Sequence, residues 1–362
     1  MECMPTPQPP WTDHADAAPP VAATASRGLG RRVVLRAAGL GAAGVLIGAG
    51  LSTDSVARGG RNLLSRADWG AYASREPFPD CNSHFTLERM IGTRFPRMSW
   101  FSTWGVSWPG TGGEQAAAGG YDVLIAWQPT TDGRTPIRFT DLVAGRHDEY
   151  LERFYTRAAN HPGKVVVRFA HEPNGTGYPW SVDFRGTTGK CVESTDEYVA
   201  GWRYVVDFYR RLLPRLPRRN ISFCWCITTR DRGTATAEQY FPGNDVVDVL
   251  AMDVYNGYGG YWASPRSLLA APYARLTALG GDQPIWITEL GCREPSKTEN
   301  SGVRPDKSKS KAQWMQQLFD LTDYPRIEAV YFFHAERAHD WRLNSSPEAL
   351  AVCRSALAGR YR

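Results

Sequence analysis

The chain has 362 residues, of which 42% are apolar and 22% are charged, and its formal net charge is +5. A chain of this size and apolar content can bury one large core. The basic excess is spread thinly and no long run of lysine and arginine with interleaved aromatic residues occurs, so no nucleic-acid partner is expected.

Residues 1–57 resemble an export signal. A region rich in proline and alanine leads to Arg31 and Arg32, and an uncharged run rich in alanine, glycine and leucine follows from Ala37 to Leu51. Twin arginines before a weakly apolar run are typical of a twin-arginine signal. The run has about 15 residues, fewer than the roughly 20 that span a bilayer, which favours a signal over an anchor. We expect a disordered segment and a twin-arginine-type signal over residues 1–57, cleavage after Ala57, and a secreted or cell-envelope protein without a stable membrane anchor.

After this segment, short apolar runs alternate with amphipathic stretches. Their high valine and isoleucine content is typical of strands that are covered on both faces. Eight strands are predicted, at Ala67–Tyr72, Arg97–Thr103, Asp122–Trp127, Val165–His171, Ile221–Ile227, Val247–Tyr255, Ile285–Glu289 and Ala329–Phe333.

Helical patterns lie between these strands. They are predicted at Thr140–Ala159, Asp196–Leu213, Lys309–Leu321 and Pro347–Leu357. Strands that alternate with helices pair in parallel through crossovers, and eight such units close into a barrel. We therefore expect an α/β protein in which residues 58–362 form a single catalytic (β/α)8 (TIM) barrel.

The expected export decides whether the cysteines can form disulfide bonds. Disulfide bonds are possible outside the cytoplasm, and Cys81, Cys191 and Cys292 are the best candidates because all three lie in predicted loops. Cys224 and Cys226 alternate within a predicted strand and are expected to be small buried residues. No spacing of cysteine and histidine suits zinc, and neither a metal nor a cofactor is expected.

Two predicted strands each end in a glutamate. In a (β/α)8 barrel the chemistry lies at the carboxyl ends of the strands. Because side chains alternate along a strand, Glu172 is expected on the face of Arg168, and Glu289 on the face of Ile285 and Ile287. Both carboxylates are thus expected to point into the barrel mouth, where paired carboxylates can cleave a glycosidic bond.

Three segments of the sequence match one known family. They end or follow the fourth, sixth and seventh predicted strands: His171-Glu172-Pro173-Asn174-Gly175 with Tyr178-Pro179-Trp180, Asp253-Val254-Tyr255, and Ile287-Thr288-Glu289-Leu290-Gly291. A histidine before the glutamate of strand four is typical of this family and unusual in its clan. Over residues 65–345 the chain resembles glycoside hydrolase family 26, a β-mannanase-like family of the clan A retaining glycosidases.

The resemblance implies a role for each glutamate. Glu172 would act as the acid/base, which protonates the glycosidic oxygen and later deprotonates water, and Glu289 would be the nucleophile that attacks the anomeric carbon. Retaining enzymes hold these two carboxyls about 5–5.5 Å apart. Because two carboxyls so close cannot both ionise cheaply, the pKa of one is expected to rise toward neutrality.

The matched segments also carry candidate substrate-binding residues. His171 would hydrogen-bond near the sugar or the nucleophile, unless its role is structural. Asn174 lies in the loop that is expected to bind substrate. Tyr255 would donate a hydrogen bond to Glu289, and a stacking or core position is the alternative.

Arg168 is a further candidate in the substrate site. An inward arginine needs anionic partners, and Glu289 and Asp253 are the candidates. A salt bridge in the barrel floor is the alternative reading of Arg168.

Tryptophans near the strand ends are candidates for stacking against sugar rings. Those at or after strands four, five, six and eight are Trp180, Trp225, Trp262 and Trp341. Each could instead belong to the core. Trp286 alternates away from Glu289 and is expected under a helix.

Two loops depart from the family pattern. The segment after Trp225 lacks the expected proline- or asparagine-containing turn, and the strand-eight end at 333–342 is longer and more charged than a typical mannanase end. The sequence therefore predicts a monomeric retaining endo-β-glycanase that hydrolyses a β-linked polysaccharide, with mannan as the first substrate. The alternatives are activity on β-1,3-xylan, mixed-linkage glucan or an envelope glycan, and a non-catalytic carbohydrate-binding barrel.

Overall fold

The computed structural model describes residues 61–73, 80–299 and 302–361. The expected export signal over residues 1–57 lies outside the described residues. Eight strands form a closed barrel in sequence order, their neighbours pair in parallel, and β8 pairs with β1. The predicted (β/α)8 barrel is confirmed. The strands are β1 (Asp68–Ala73), β2 (Arg97–Thr103), β3 (Asp122–Gln128), β4 (Val165–Phe169), β5 (Ile221–Thr228), β6 (Val249–Asn256), β7 (Ile285–Cys292) and β8 (Ile327–His334).

Helices cover the outside of the sheet. In the described part of the chain they are α1 (Leu63–Arg66), α2 (Asn82–Ile91), α3 (Thr111–Ala118), α4 (Phe139–Val143), α5 (Asp148–Asn160), α6 (Thr195–Leu212), α7 (Pro265–Ala278), α8 (Lys311–Phe319) and α9 (Pro347–Leu357). The helices α1, α2, α3 and α7 were not among the predicted ones.

Local sequence explains where two of the predicted helices begin or break. The hydroxyl of Ser346 accepts a hydrogen bond from the backbone N–H of Ala349, and Pro347 occupies the first turn, so α9 has its predicted bounds. The predicted helix over Thr140–Ala159 is instead two helices. Gly145 lies between them with φ 77°, a left-handed conformation that ends a helix.

The barrel interior contains its own apolar cluster, separate from the layer between sheet and helices. Its members come from six strands and are Leu124, Val166, Cys224, Cys226, Val249, Ala251, Trp286, Ala329 and Tyr331. Trp286 therefore lies inside the barrel, 4.8 Å beneath the Arg97 guanidinium, and the expectation that it packs under a helix is wrong. Ile285 and Ile287 belong to the outer layer instead.

The three cysteines that were candidates for disulfide bonds are not joined to one another. Cys191 and Cys292 are buried free thiols, and the Cys81 thiol lies 3.2 Å from the carbonyl oxygen of Gly112. In the part of the chain that the structure describes, no helix combines the length and apolarity needed to cross a bilayer.

Candidate active site

A local irregularity in β7 brings two consecutive side chains into the barrel. Met252 of β6 pairs with Ile287, but the next residue, Asp253, pairs with Glu289, so β7 contains one extra residue. The Thr288 hydroxyl donates to Asp253 at 2.6 Å, and Glu289 also faces inward. The predicted direction of Glu289 is confirmed, but the predicted parity with Ile287 is wrong because the bulge reverses the alternation.

A sharp turn after β4 sets the position of Glu172. The strand ends at Phe169, and both Ala170 (φ 45°) and Glu172 (φ 53°) have left-handed backbones, which are strained for residues other than glycine. The Glu172 N–H donates to the carbonyl of Cys226 at 2.8 Å, and the Tyr198 hydroxyl donates to the carbonyl of Ala170 at 2.8 Å. Ala170 belongs to the outer apolar layer, so this turn, and not strand parity, directs the Glu172 side chain.

Arg168 is the buried cation at the centre of the site. Its guanidinium donates to Asp253 at 2.5 Å, to Glu289, and to the Thr288 hydroxyl at 3.3 Å. Burial opposes the charge of Arg168, but the charges of Asp253 and Glu289 outweigh burial and raise its pKa well above the usual value. A buried charge requires such partners, and removal of one would leave the others uncompensated.

The three carboxyl groups of the site have different surroundings. Burial raises the pKa of Glu172 well above its usual value, and the charges of Asp253 and Glu289 raise it further. Burial also raises the pKa of Asp253, to about 7, against the opposing charge of Arg168. Glu289 accepts hydrogen bonds on both oxygens, from Arg168 and from the Tyr255 hydroxyl. The surroundings thus favour the protonated form of Glu172, whereas two donors hold the side chain of Glu289.

Tyr255 is fixed by aromatic neighbours and by a glycine. Its ring meets the edge of the Trp341 ring at 4.9 Å and the Phe333 ring at 5.6 Å. A Cβ atom at Gly291 would lie 2.4 Å from the Tyr255 ring and 3.0 Å from the Trp341 ring. Only glycine allows these two rings to approach β7 so closely.

His171 presents a neutral imidazole at the site. The ring is buried against Phe101 (5.9 Å) and Tyr178 (4.7 Å). Burial and the charge of Arg168 lower its pKa well below the usual value. Within the described residues, neither ring nitrogen has a hydrogen-bond partner, and both nitrogens are buried.

Tyr178, which was not among the predicted site residues, lies close enough to Glu172 and Glu289 for their charges to act on its hydroxyl. Burial and the charges of Glu172 and Glu289 raise the pKa of its hydroxyl well above the usual value. Its ring stacks on Trp180 at 4.6 Å and is only half-buried. The buried Trp180 donates its indole N–H to the His171 carbonyl at 2.6 Å. Trp180 therefore supports Tyr178 and the turn from below and does not line the cleft.

The other predicted tryptophans divide between the cleft and the outer layer. Trp341 is buried beside Tyr255 in a cluster at the barrel mouth. Trp225 is directed outward, 5.1 Å from the Phe241 ring, because the inner positions of β5 are the two cysteines. Trp262 is half-buried against the outer layer. The expectation that Trp225 stacks on sugar is corrected by this register, and Trp262 stays a prediction.

Asn174 connects two loops. Its amide accepts from the backbone N–H of Thr228 at 3.0 Å and donates to the Thr228 carbonyl at 3.2 Å and to Asp231 at 2.9 Å. These bonds hold the β4 loop against the end of β5. Asn174 therefore orders the substrate loop from within, and its side chain is already occupied by protein partners.

No group of three or more histidine, cysteine, aspartate and glutamate side chains in residues 61–73, 80–299 and 302–361 converges as metal ligands would. The carboxyl groups of Glu172, Asp253 and Glu289 are suited to acid/base and nucleophilic chemistry.

Comparison with protein families gives one match. The sequence model of glycosyl hydrolase family 26 matches residues 116–322, which is more than half of the chain. This range contains Arg168, Glu172, Asp253, Tyr255 and Glu289.

Two curated proteins are similar to the chain. Endoglucanase H of Acetivibrio thermocellus is 25% identical over 306 residues, which cover 82% of this chain and 31% of the relative. Mannan endo-1,4-beta-mannosidase A and B of Caldalkalibacillus mannanilyticus is 28% identical over 163 residues, which cover 45% of this chain and 27% of the relative. The chain thus matches less than a third of the length of each relative.

Solved structures share the fold. The catalytic domain of the Bacillus sp. JAMB-750 GH26 endo-beta-1,4-mannanase aligns with a TM-score of 0.57 and 14% identity, over 82% of this chain and 86% of that chain. A modular endo-beta-1,4-mannanase from Cellulomonas fimi aligns with a TM-score of 0.55 and 16% identity, over 85% and 74% of the two chains. At these identities the similarity shows the barrel fold alone.

Proposed function

Since the chain belongs to glycosyl hydrolase family 26 and is thus a glycoside hydrolase, we propose that it is an endo-acting, retaining β-glycanase for mannan-type polysaccharides. The observation that carries the proposal is the difference between its two glutamates. Glu172 has a raised pKa, and Glu289 accepts hydrogen bonds from Arg168 and Tyr255. One protonated and one anionic carboxyl at the same barrel mouth are what double displacement requires.

In the first step, Glu289 attacks the anomeric carbon while Glu172 transfers its proton to the glycosidic oxygen. The bond between the sugar and the leaving chain breaks, and a covalent glycosyl ester on Glu289 forms. In the second step, Glu172 takes a proton from water, the water oxygen attacks the same carbon, and Glu289 leaves. Two inversions give net retention at the anomeric carbon.

The charges of the site favour both halves of this cycle. In the resting site, burial and the charges of Asp253 and Glu289 raise the pKa of Glu172, which favours the proton that the first step needs. Ester formation removes the charge of Glu289, and with it the part of the pKa increase of Glu172 that this charge causes. The pKa of Glu172 then falls, and Glu172 becomes the carboxylate that the second step needs.

The names of the relatives support the substrate class. The similar protein from Caldalkalibacillus mannanilyticus is a mannan endo-1,4-beta-mannosidase, and we extend mannan to this chain on that basis. A β-glucan is the second candidate, because the relative named Endoglucanase H is similar over a larger share of the chain.

A secreted or cell-envelope location belongs to the same proposal. A polysaccharide substrate is met outside the cytoplasm, and residues 1–57 resemble a twin-arginine-type signal. The N-terminal sequence of the protein recovered from outside the cytoplasm tests this part. Cleavage after Ala57 is expected, and retention of the intact chain inside the cell would contradict it.

Hydrolysis assays with single variants test the activity. The unmodified chain is expected to release reducing ends from glucomannan or galactomannan, or from a β-glucan for the second candidate. Glu172→Gln is expected to lose about 10²–10⁴-fold in rate, since it removes the positioned acid. Glu289→Gln is expected to show no measurable hydrolysis.

Glu152→Gln is a matched control, because Glu152 is exposed on the outer helix α5. It should retain full activity. A wild-type chain that binds these glycans but releases no reducing ends would favour the non-catalytic barrel, and full activity of Glu289→Gln would refute the mechanism.

A further inference from the structure

One turn after β6 exposes two aromatic rings. Among the described residues only three large hydrophobic side chains are exposed, and two of them are Tyr258 (49%) and Tyr261 (47%). The third is Val143, on the outer helix α4. The two tyrosines are three residues apart, at the edge of the barrel that carries the carboxyl groups.

Glycines fix the shape of this turn. Gly257, Gly259 and Gly260 all have positive φ, at 93°, 56° and 86°, and the Gly257 N–H donates to the Tyr261 carbonyl at 2.7 Å. Side chains other than glycine rarely adopt such backbones. The glycines therefore define the backbone of the turn, on which both tyrosines are exposed.

A series of ring contacts connects the turn to the nucleophile. The Tyr258 ring meets His339 at 5.6 Å, His339 meets Trp341 at 5.0 Å, and Trp341 meets Tyr255 at 4.9 Å. Tyr255 then donates to Glu289. Ring contacts through the buried His339 and Trp341 thus connect the exposed turn to the side chains around Glu289.

Arg230, from the loop after β5, adds hydrogen-bond donors to this surface. Its exposed guanidinium lies 4.4 Å above the Tyr261 ring and covers one face of that ring. Flat rings suit the C–H faces of sugars, and a neighbouring guanidinium can donate to sugar hydroxyls. This combination distinguishes the turn from a purely apolar contact surface.

We infer that Tyr258, Tyr261 and Arg230 form a distal subsite that binds a sugar unit of the polysaccharide several units from the bond that is cut. The inference rests on the proposed function. The occupant is assigned as a sugar of the same polysaccharide because the turn lies on the same barrel edge as Glu289 and is connected to Tyr255 by ring contacts. A long glycan gains binding energy there that a short one cannot reach.

The test compares a long and a short substrate. The ratio of kcat/KM for soluble glucomannan to that for β-1,4-mannotetraose is measured in the full chain and in the double variant Tyr258→Ala/Tyr261→Ala. The ratio is expected to fall about tenfold, since two stacking rings are lost. The double variant Tyr258→Phe/Tyr261→Phe keeps the rings and is expected to keep the ratio.

Val143→Ser is the control, because it removes the third exposed hydrophobic side chain on another face. Its ratio should equal that of the unmodified chain. A ratio within twofold of wild type in the double alanine variant, or equal losses on both substrates, would overturn the subsite. A ratio that falls as much in the double phenylalanine variant would overturn the stacking role.

Binding without cleavage separates the subsite from the proposed function. In the Glu289→Gln background, glucomannan in a native gel is expected to retard the protein, and the two alanine substitutions should remove the retardation. If the wild-type chain cleaves no glycan but is retarded through these tyrosines, the proposed function fails and the subsite stands. If it cleaves glucomannan and the alanine substitutions change neither ratio nor retardation, the function stands and the subsite fails.

Discussion

The hydroxyl of Tyr255 donates a hydrogen bond to Glu289, and the two residues lie on neighbouring strands of the barrel wall. Tyr255 is one of two donors on this carboxylate, and Arg168 is the other. The tyrosine cannot move far, because Trp341 and Phe333 contact its ring. Tyr255 and Arg168 together fix the orientation of this carboxylate.

Tyr255→Phe removes this donor and leaves the ring. A hydrogen bond to a charged group contributes about 1.5–3 kcal/mol, so kcat is expected to fall roughly 10- to 100-fold. Tyr204→Phe is the matched control, because the Tyr204 hydroxyl donates to Asp148 at 2.6 Å on the outer helices. Steady-state kinetics on the same glycan compare the two, and equal kcat values would contradict the role of Tyr255.

Arg168→Met is expected to lower the stability of the barrel. The variant leaves Asp253 and Glu289 buried without their cation, and breaking a buried pair in this way costs about 3–5 kcal/mol. Denaturant unfolding should show a smaller loss at pH 5 than at pH 8, because protonation relieves the unpaired carboxyls. Arg203→Met, which breaks an exposed pair with Asp245, should change stability by less than about 1 kcal/mol. A loss at Arg168 as small as that at Arg203 would be inconsistent with a central ion pair.

Asp253→Asn is expected to move the pH profile of activity. The charge of Asp253 raises the pKa of Glu172, so its removal lowers that pKa. The basic limb of kcat/KM, where Glu172 loses its proton, should shift to lower pH. Asp245→Asn removes a surface carboxylate and should leave the profile in place. An unchanged or raised basic limb in Asp253→Asn would show that Glu172 does not control it.

Asp253 also makes stability depend on pH in a defined direction. Its pKa is raised in the folded protein to about 7 from an unfolded value near 4, so the folded state binds the proton more tightly. The contribution of Asp253 to the free energy of unfolding is complete at pH values below its pKa in the unfolded chain. It is lost as pH rises through about 7.

Gly291→Ala is expected to damage both packing and catalysis. The added methyl group would lie 2.4 Å from the Tyr255 ring, so that ring must move away from Glu289. Overpacking of this kind costs about 1–3 kcal/mol, and kcat should fall as it does in Tyr255→Phe. Gly110→Ala is the control, because no atom lies within 4 Å of a Cβ there. Thermal unfolding and kcat are measured together, and a Gly291→Ala enzyme with unchanged kcat would contradict the coupling.

The sequence pattern predicted the barrel well because its signal is long-range and repeated. Eight apolar runs separated by helical patterns allow few topologies, and β2 has its predicted bounds. The helices α1, α2, α3 and α7 were not predicted. The helix α3 begins Thr111-Gly112-Gly113, and α7 contains Pro272, residues that oppose helix formation locally. Packing against the sheet overrides these preferences.

The site could be predicted by residue type but not by geometry. The regular alternation of strand side chains predicted that Ile287 and Glu289 both face inward. Ile287 lies in the outer layer, so regular alternation would have directed Glu289 outward as well. The extra residue at Thr288 corrects the direction, and one sequence gives no sign of such a bulge. The positions of Trp180 and Trp225 could not be predicted either. Trp180 stacks on Tyr178, and the register of β5 directs Trp225 outward.

The central claim is that Glu289 is the nucleophile and Glu172 the acid/base of a retaining enzyme. The most direct test incubates the full chain with an activated 2-deoxy-2-fluoro derivative of the sugar that it cleaves, and identifies the labelled peptide by mass spectrometry. One covalent glycosyl group is expected in the wild-type chain, on Glu289. A label on any other residue, or an active enzyme that forms no covalent intermediate and inverts the anomeric carbon, would contradict it.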